Sequence, residues 1–211
     1  MILGKGECGN GNMSRFLHLF YRIRRNRLPV LPEPARGGER PEPLQRQHGS
    51  GDYVGDIFIT NTSRDQYTGW FFGMAMAYDA VSDPDVREQI ATDVAEVVDA
   101  LMAQNWTILD LDGIATTKAP RPISTYKTNW TLIAAHVTGE QRFWDEYSRL
   151  TDPSEAATHK LNSIAFTNKY VQHYGNNLNH TNYFVLMRLC WIHGFWEDYA
   201  FWTELFTTQI H

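Results

Sequence analysis

The chain has 211 residues, a formal net charge of −5 and an aromatic share of 13%. This length fits one main domain with a full hydrophobic core, and the negative charge argues against nucleic acid as a partner. The two cysteines, Cys8 and Cys190, argue against a disulfide framework and against a cysteine metal site. The aromatic residues suit either a tightly packed core or a groove in which sugar rings stack.

The first fifty residues differ in composition from the rest of the chain. They hold nine of the nineteen Lys and Arg residues but only four acidic residues. Phe16–Leu28 has the pattern of a short basic helix, whereas Leu31–Gly51 is rich in Pro, Arg, Gly and Gln and lacks a hydrophobic period. Residues 1–50 are therefore predicted to be a disordered or loosely attached basic extension, and residues 51–211 a helical-hairpin domain.

No apolar run is long enough to predict an integral membrane segment. No secretory signal peptide is recognisable, because the apolar candidate Phe16–Ile23 is interrupted by His18 and is followed by arginines without a small-residue cleavage site. A cytoplasmic location and secretion with a missing leader therefore both stay open.

The stretch Thr62–Tyr78 predicts most of the first helix. Ser63 is a capping residue, and Gln66 stands three positions later, as in a capping box. Gly69 and Gly73 lie one turn apart, which predicts the close approach of a neighbouring helix. Large apolar side chains recur at helical spacing on one face, and these are Tyr67, Trp70, Phe71, Met74 and Tyr78.

Six further helices are predicted from capping residues, apolar stripes and terminal glycines. They cover approximately Pro84–Gln104, Thr125–Val137, Glu140–Leu150, Ser154–His173, Asn177–His193 and Trp196–Thr208. Between the second and third helices, Asn105–Lys118 consists of two short β-prone runs around Asp112 and Gly113. This pattern predicts a small β-hairpin lying across one end of the helices.

The predicted fold class is all-α, with antiparallel helical hairpins and one small β-hairpin insert. Strands and helices do not alternate, which excludes a parallel sheet with its nucleotide site. The sequence also contains no P-loop and no Gly-rich dinucleotide fingerprint. A nucleotide-dependent enzyme is therefore not predicted.

Two stretches carry a resemblance to a known group of proteins. Thr62–Tyr78, together with the Asp-Pro-started helix that follows it, resembles a helical hairpin of the α/α-toroid enzymes, which are the six-hairpin glycosidase-like proteins and the helical-barrel polysaccharide lyases. The Asn-rich segment Tyr174–Tyr183 is similar to the start of an inner toroid helix. The chain beyond residue 50 has room for roughly three and a half hairpins. The resemblance therefore implies a partial or complete α/α toroid and an oligo- or polysaccharide substrate.

Asp65 is the first candidate catalytic residue, because it stands among aromatic residues at a helix start. A carboxyl group there can act as general acid or base at a glycosidic oxygen. Hydrolysis needs a second carboxylate, for which Asp110 is favoured over Asp112 and Asp56. The candidate substrate-binding residues of this region are Arg64, Gln66, Tyr67 and Trp70. The alternative is that Arg64 and Asp65 only complete a first helical turn, where acidic residues are common.

The segment Tyr174–Tyr183 supports a different chemistry. A lyase acting on uronic-acid polymers must neutralise the substrate carboxylate and place a base near the C5 proton. The candidate neutralising residues are Asn176, Asn177 and Arg64. The candidate bases are Tyr183, His180 and Tyr174. A simpler explanation makes one of the two adjacent Asn residues the cap of the sixth helix, which leaves the other amides of the segment unexplained.

The third hypothesis is a non-catalytic helical scaffold that binds a partner or a glycan through an aromatic groove. No cofactor is predicted for any of the three hypotheses. His173, His180 and His193 lack the i, i+4 spacing of a helical metal site, so no structural zinc is expected. The sequence leaves homo-oligomer formation open.

Overall fold

The computed structural model describes residues 46–48, 57–59, 61–110, 113–117, 119–166 and 173–208. Two short strands precede the helices: β1 (Arg46–His48) pairs antiparallel with β2 (Ile57–Ile59). In their register, Arg46 stands opposite Ile59. The pair therefore joins residues on both sides of the predicted domain boundary at residue 50. The predicted basic helix, Phe16–Leu28, lies outside the described residues.

Helices make up most of the chain that the structure describes. Seven α-helices follow β2 there, and they are α1 (Arg64–Ala80), α2 (Pro84–Ala103), α3 (Ser124–Thr138), α4 (Gln141–Leu150), α5 (Ala156–Phe166), α6 (His173–His193) and α7 (Trp196–Thr208). One 3-10 turn, Pro153–Glu155, precedes α5. The predicted all-α class is confirmed. None of the described helices is both long and apolar enough to cross a membrane.

Most helix ends lie within two residues of their predicted positions, because the signals that set them are local. Gln66 accepts the backbone N–H of Ser63 at 2.7 Å, so the predicted capping box is present at α1. Asp83 caps α2 by accepting the backbone N–H of Asp85 at 3.0 Å. Gly139 follows α3 with a φ of 70°, a left-handed conformation that glycine adopts at little cost.

The predicted boundary between the fifth and sixth helices is wrong. Gly175 was expected to end the fifth helix, but it lies inside α6, and α5 ends at Phe166. Because α6 begins at His173, Asn176 and Asn177 lie within its first two turns and are not its cap. The physical reason is that a single glycine costs a helix only about 1 kcal/mol relative to alanine, which the packing of a long helix outweighs.

α1, α3 and α6 run parallel to one another and are in mutual contact. Near their last residues, Asp79 of α1 contacts His136 of α3, and His136 contacts His193 of α6. Closer to their first residues, Asn129 of α3 donates a hydrogen bond to Asn182 of α6. The three helices therefore begin at one end of the bundle, called the N-terminal end below, and finish at the opposite C-terminal end.

α7 returns along α6 as an antiparallel partner. Trp202 in the middle of α7 packs against Tyr183, and Phe206 near its end packs against His180, which is earlier in α6. The turn between the two helices contains Gly194, whose φ is 74°. α4 follows α3 after a similarly tight turn and is in extensive contact with it. Helical hairpins are thus present at α3–α4 and at α6–α7.

Aromatic rings fill the centre of the bundle. Trp130 of α3 is fully buried, and its ring stacks on Phe71 of α1 with 5.0 Å between the centroids. Tyr67, one turn earlier in α1, also packs on Trp130, with 5.8 Å between the ring centroids. The predicted apolar stripe of α2 is buried at Ile90, Val94, Val97, Val98 and Leu101. Val86, expected in that stripe, is 43% exposed.

The two glycines of α1 do not serve the close helix packing that was predicted for them. A Cβ atom built on Gly69 or on Gly73 would meet no heavy atom within 4 Å. Both residues lie on the exposed side of α1, away from the aromatic face. They therefore weaken the helix without allowing a closer contact.

The segment between α2 and α3 turns back on itself across the start of α1. Leu109 and Ala115 form an isolated antiparallel bridge, and the backbone N–H of Thr116 donates to the carbonyl of Ile108 at 3.1 Å. Gly113 has a φ of 78°, as expected for the glycine of a tight turn. Ile108 is fully buried, so the segment covers part of the core.

Candidate functional site

Asn61 ties the segment between α2 and α3 to the start of α1. Its side-chain Oδ1 accepts three hydrogen bonds, from the Oγ1 of Thr116 at 2.6 Å and from the backbone N–H and Oγ1 of Thr117 at 2.8 and 3.0 Å. Its φ is 66°, a left-handed conformation that Asn tolerates better than most residues. This role could not be predicted from local sequence patterns, because the partners are 55 and 56 residues away.

The same residue brings the candidate carboxylate Asp110 to α1. The backbone N–H of Asn61 donates to Oδ1 of Asp110 at 2.9 Å, three residues before the first residue of α1. Tyr67, one turn into α1, lies close enough for the charge of Asp110 to affect its pKa. Burial raises the pKa of the Tyr67 phenol, and the Asp110 carboxylate raises it further. Asp110 is therefore at the N-terminal end of the bundle, where Asp65 also lies.

Arg64 and Asp65 form the first turn of α1 and are partly exposed. Their side chains make an ion pair with 3.8 Å between Nε of Arg64 and Oδ1 of Asp65. Arg64 also donates to the backbone carbonyl of Arg121 at 3.3 Å and lies 5.8 Å from the ring centroid of Tyr126. The guanidinium group therefore connects the start of α1 to the start of α3.

The other candidate residues of α1 have structural partners. Gln66 is used in the capping box. Tyr67 and Trp70 are 1% and 7% exposed, so their rings belong to the core rather than to an open surface. The two rings are part of the core next to the first turn of α1. A sugar could stack directly on either ring only if the bundle opened.

The candidates in α6 lie at the same end of the bundle but face other neighbours. Asn177 is exposed, and its backbone carbonyl accepts a hydrogen bond from Thr181. His180 packs edge-on against Phe206 of α7, with 5.2 Å between the ring centroids. Tyr183 is 1% exposed and packs on Trp202, which is a poor position for a base that must reach a substrate. The side chain of Tyr174 is outside the described part.

A buried polar cluster lies between α3, α5, α6 and α7. Its members are at most 1% exposed, and they are Thr125, Asn129, His159, Asn179, Asn182, Tyr183 and Trp202. Nε2 of His159 lies 3.0 Å from the carbonyl oxygen of Leu150, which can only accept, so the proton is on Nε2. Burial lowers the pKa of His159, which keeps its ring neutral.

A second polar arrangement, missed in the sequence, lies at the C-terminal end. Nε2 of His136 lies 2.9 Å from Oδ1 of Asp79, and Nδ1 of His136 lies 2.9 Å from Nε2 of His193. The carboxylate of Asp79 also binds Arg188 at 2.6 Å. With neutral rings, His136 donates to Asp79 and accepts from His193, which leaves Nδ1 of His193 as an acceptor. Burial lowers the pKa of His193, and His136 lowers it further.

An open groove runs along the outer face of α6 beside α7. Its volume is about 450 Å³, and it is lined by Phe184, Met187, Arg188, Trp191, Ile192 and Tyr199. Trp191 is 60% exposed, and its ring packs edge-on against Trp196 at 5.0 Å. The groove is the aromatic surface that the scaffold hypothesis requires, although it lies on α6 rather than on the aromatic face of α1.

The structure brings Asp65 and Asp110 to one end of the bundle, where α6 also begins. Arg64 contacts Arg121 and Tyr126 at the start of α3, whereas His180 packs on Phe206 of α7. Comparison with known proteins assigns no family, because no family model, curated protein or solved structure matches the chain.

Proposed function

We propose that this chain is a carbohydrate-active helical domain that hydrolyses an oligo- or polysaccharide, with Asp65 and Asp110 as the acid/base pair. The observation that carries the proposal is the hydrogen bond from Asn61 to Asp110, which draws a carboxylate from a distant loop to the start of α1. Two carboxyl groups flanking one bond are the usual requirement for glycoside hydrolysis. Arg64, partly exposed beside Asp65, is suited to bind substrate hydroxyl groups.

The helix directions support the finer proposal of a partial α/α toroid. In such a fold, one set of parallel helices lines the interior, and the antiparallel partner of each lies outside. We assign α1, α3 and α6 to the inner set, and α4 and α7 to the outer set. The segment containing Leu109 and Ala115 would then be the β-insert at the substrate end.

The experiment that tests hydrolysis is an assay on a panel of polysaccharides with two readouts. New reducing ends report hydrolysis, and absorbance of unsaturated uronides reports lyase chemistry. We expect reducing ends from one member of the panel, and a loss of about 10²-fold or more in kcat for Asp65→Asn and for Asp110→Asn. Asp145→Asn, an equally conservative change at an exposed residue of α4, should be fully active.

Three outcomes would contradict the proposal. The first is the absence of product from every polysaccharide, and the second is full activity in Asp65→Asn. The third is unsaturated uronide in place of a simple reducing end, which would favour the lyase alternative. Loss of that lyase activity in His180→Gln, with activity retained in Tyr183→Phe, would then identify the base.

The groove on α6 favours a second candidate, a non-catalytic domain that binds a glycan. Exposed Trp and Tyr side chains present flat apolar faces on which sugar rings stack. If this is the function, oligosaccharides should bind without being cleaved, and Trp191→Ala should weaken binding. Trp144→Ala, at a partly buried ring outside the groove lining, is the matched control.

A further inference from the structure

The buried polar cluster contains hydrogen-bonding groups that the protein itself does not use. Asn179 is 1% exposed, and neither its Nδ2 nor its Oδ1 has a hydrogen-bond partner in the described part of the chain. Oδ1 of Asn129 and Nε1 of Trp202 are likewise buried and without partners. Most buried polar groups in proteins are hydrogen-bonded, so a buried amide without partners is unusual and destabilising.

The orientation of the Asn129 amide follows from its partners. Nδ2 of Asn182 donates to the backbone carbonyl of Leu178 at 2.8 Å, which fixes Oδ1 of Asn182 as the acceptor on its other side. Nδ2 of Asn129 donates to that oxygen at 2.8 Å. The unused atom of Asn129 is therefore a carbonyl oxygen, an acceptor.

The unused groups lie in one small region because their residues are linked through neighbours. Asn129 is one turn after Thr125 on α3, and Oγ1 of Thr125 lies 3.5 Å from Nδ1 of His159. The ring of His159 packs edge-on against Trp202 with 4.9 Å between centroids, and Trp202 packs on Tyr183. Tyr183 is one turn after Asn179 on α6. Its neighbour Asn182 accepts the hydrogen bond from Asn129.

The region holds two kinds of unused group. The amide N–H of Asn179 and the indole N–H of Trp202 are donors, whereas the carbonyl oxygens of Asn179 and Asn129 are acceptors. No member of the cluster is an Asp, Glu, Lys or Arg residue. A hydroxyl group both donates and accepts, so a ligand with several hydroxyl groups matches this mixture, whereas a charged ligand would be buried without a counter-charge.

We propose that Asn129, Asn179 and Trp202 form a binding site for an uncharged ligand with several hydroxyl groups, either a single sugar residue or a smaller polyol. Oδ1 of Asn176 and Nε2 of His180, both on α6, are further buried atoms without a partner in the described residues. Asn176 lies about 4.5 Å along the helix axis from Asn179. The sugar form of the ligand rests on the proposed function.

The test is isothermal titration of the full chain with glucose, galactose, N-acetylglucosamine and glycerol. We expect at least one of them to bind with a stoichiometry of one. Asn179→Leu removes both unused amide groups with little change in volume and should weaken binding about tenfold or more. Gln141→Leu, the same kind of change at an exposed residue of α4, should bind as the unmodified chain does.

The outcomes separate this site from the hydrolytic one. Binding of glycerol alone identifies the smaller polyol, and binding of a sugar alone identifies the sugar residue. Absence of heat with all four compounds, or equal binding by Asn179→Leu, overturns the proposal. If Asn179→Leu does not fold, Trp202→Phe, which removes the indole N–H together with part of the ring volume and keeps an aromatic ring, decides by the same criterion. Binding retained by an inactive Asp65→Asn chain shows that this site stands independently of hydrolysis.

Discussion

His136 and His193 share a hydrogen bond of 2.9 Å between Nδ1 of the first ring and Nε2 of the second. The first ring is fixed in turn by Asp79, which also pairs with Arg188. These contacts connect the last turns of α1, α3 and α6. The arrangement therefore links the three helices at the C-terminal end of the bundle. The contribution of each side chain to the free energy of unfolding can be measured by substitution.

Asp79→Ala should lower the free energy of unfolding by about 1–3 kcal/mol, because it removes charge-assisted hydrogen bonds and leaves His136 and Arg188 without their acceptor. The measurement is urea unfolding followed by circular dichroism. Asp99→Ala is the control, since Asp99 pairs with Arg142 on an exposed surface, where such pairs contribute at most about 1 kcal/mol. Equal effects of the two substitutions would show that the histidine contacts add nothing.

Gly73→Ala should raise the free energy of unfolding by about 0.5–1 kcal/mol. The residue is inside α1 with a helical backbone, and an added Cβ would meet no neighbour within 4 Å. Thermal unfolding is sufficient to detect the change. Gly139→Ala should do the opposite, because the φ of 70° at that position strains any residue with a side chain. A destabilised Gly73→Ala chain would mean that α1 is more closely packed there than the structure indicates.

Asn61→Gly should destabilise the chain by about 1–3 kcal/mol, because Thr116 is buried and would lose the acceptor of its hydroxyl group. Glycine keeps the left-handed backbone conformation, so the effect reports the side chain alone. Asn61→Asp retains an acceptor and should change stability much less. Hydrogen exchange at the amide of Thr117 is the local measurement, and unchanged protection in Asn61→Gly would contradict the role given to Asn61.

The unfolding free energy should fall as pH falls from 7 toward 5, and His159 should account for part of the fall. Burial lowers the pKa of His159 in the folded state below the ordinary value of about 6.5 for unfolded chains. In the window between the two pKa values the unfolded state binds more protons, so acid favours unfolding. His159→Gln should therefore show a flatter dependence of melting temperature on pH. An unchanged slope would contradict the lowered pKa.

Cys190 should be unreactive in the folded chain. Burial raises the pKa of its thiol to about 12, with a smaller opposing effect from the Tyr147 hydroxyl and a further rise from Asp198. A thiol with such a pKa has almost no thiolate at pH 8, and the thiolate is the reactive form. In a Cys8→Ser chain, a disulfide reagent such as DTNB should detect one thiol in denaturant and none before unfolding. Rapid native labelling would contradict the prediction.

Local signals in the sequence were sufficient to predict most of the helices. Ser63 with Gln66, and Gly139, act within a few residues of the helix ends that they fix, so their effect is visible without the fold. Exposure was harder to predict, as Leu161 shows: this apolar residue of the fifth predicted helix is 67% exposed. The helical spacing of apolar residues shows which face of a helix is apolar. How much of that face other helices cover depends on the fold.

The candidate site could be predicted only in its local parts. The sequence predicted a β-prone segment across one end of the helices and offered Asp110 within it as the second carboxylate, but it carried no signal for the hydrogen bond from Asn61. Asp79, His136 and His193 carry no sequence signal, since they are separated by 57 residues at each step. Such contacts depend on the relative direction of whole helices, which short-range spacing does not determine.

The shared direction of α1, α3 and α6 has an electrical consequence. Each helix carries a macrodipole of roughly half a positive charge at its start and half a negative charge at its end. Since the three helices point the same way, these partial charges add at each end of the bundle. Asp65 lies at the positive pole, which favours anions. Asp79 lies at the negative pole, which disfavours a carboxylate and gives a physical reason for the cationic Arg188 beside it.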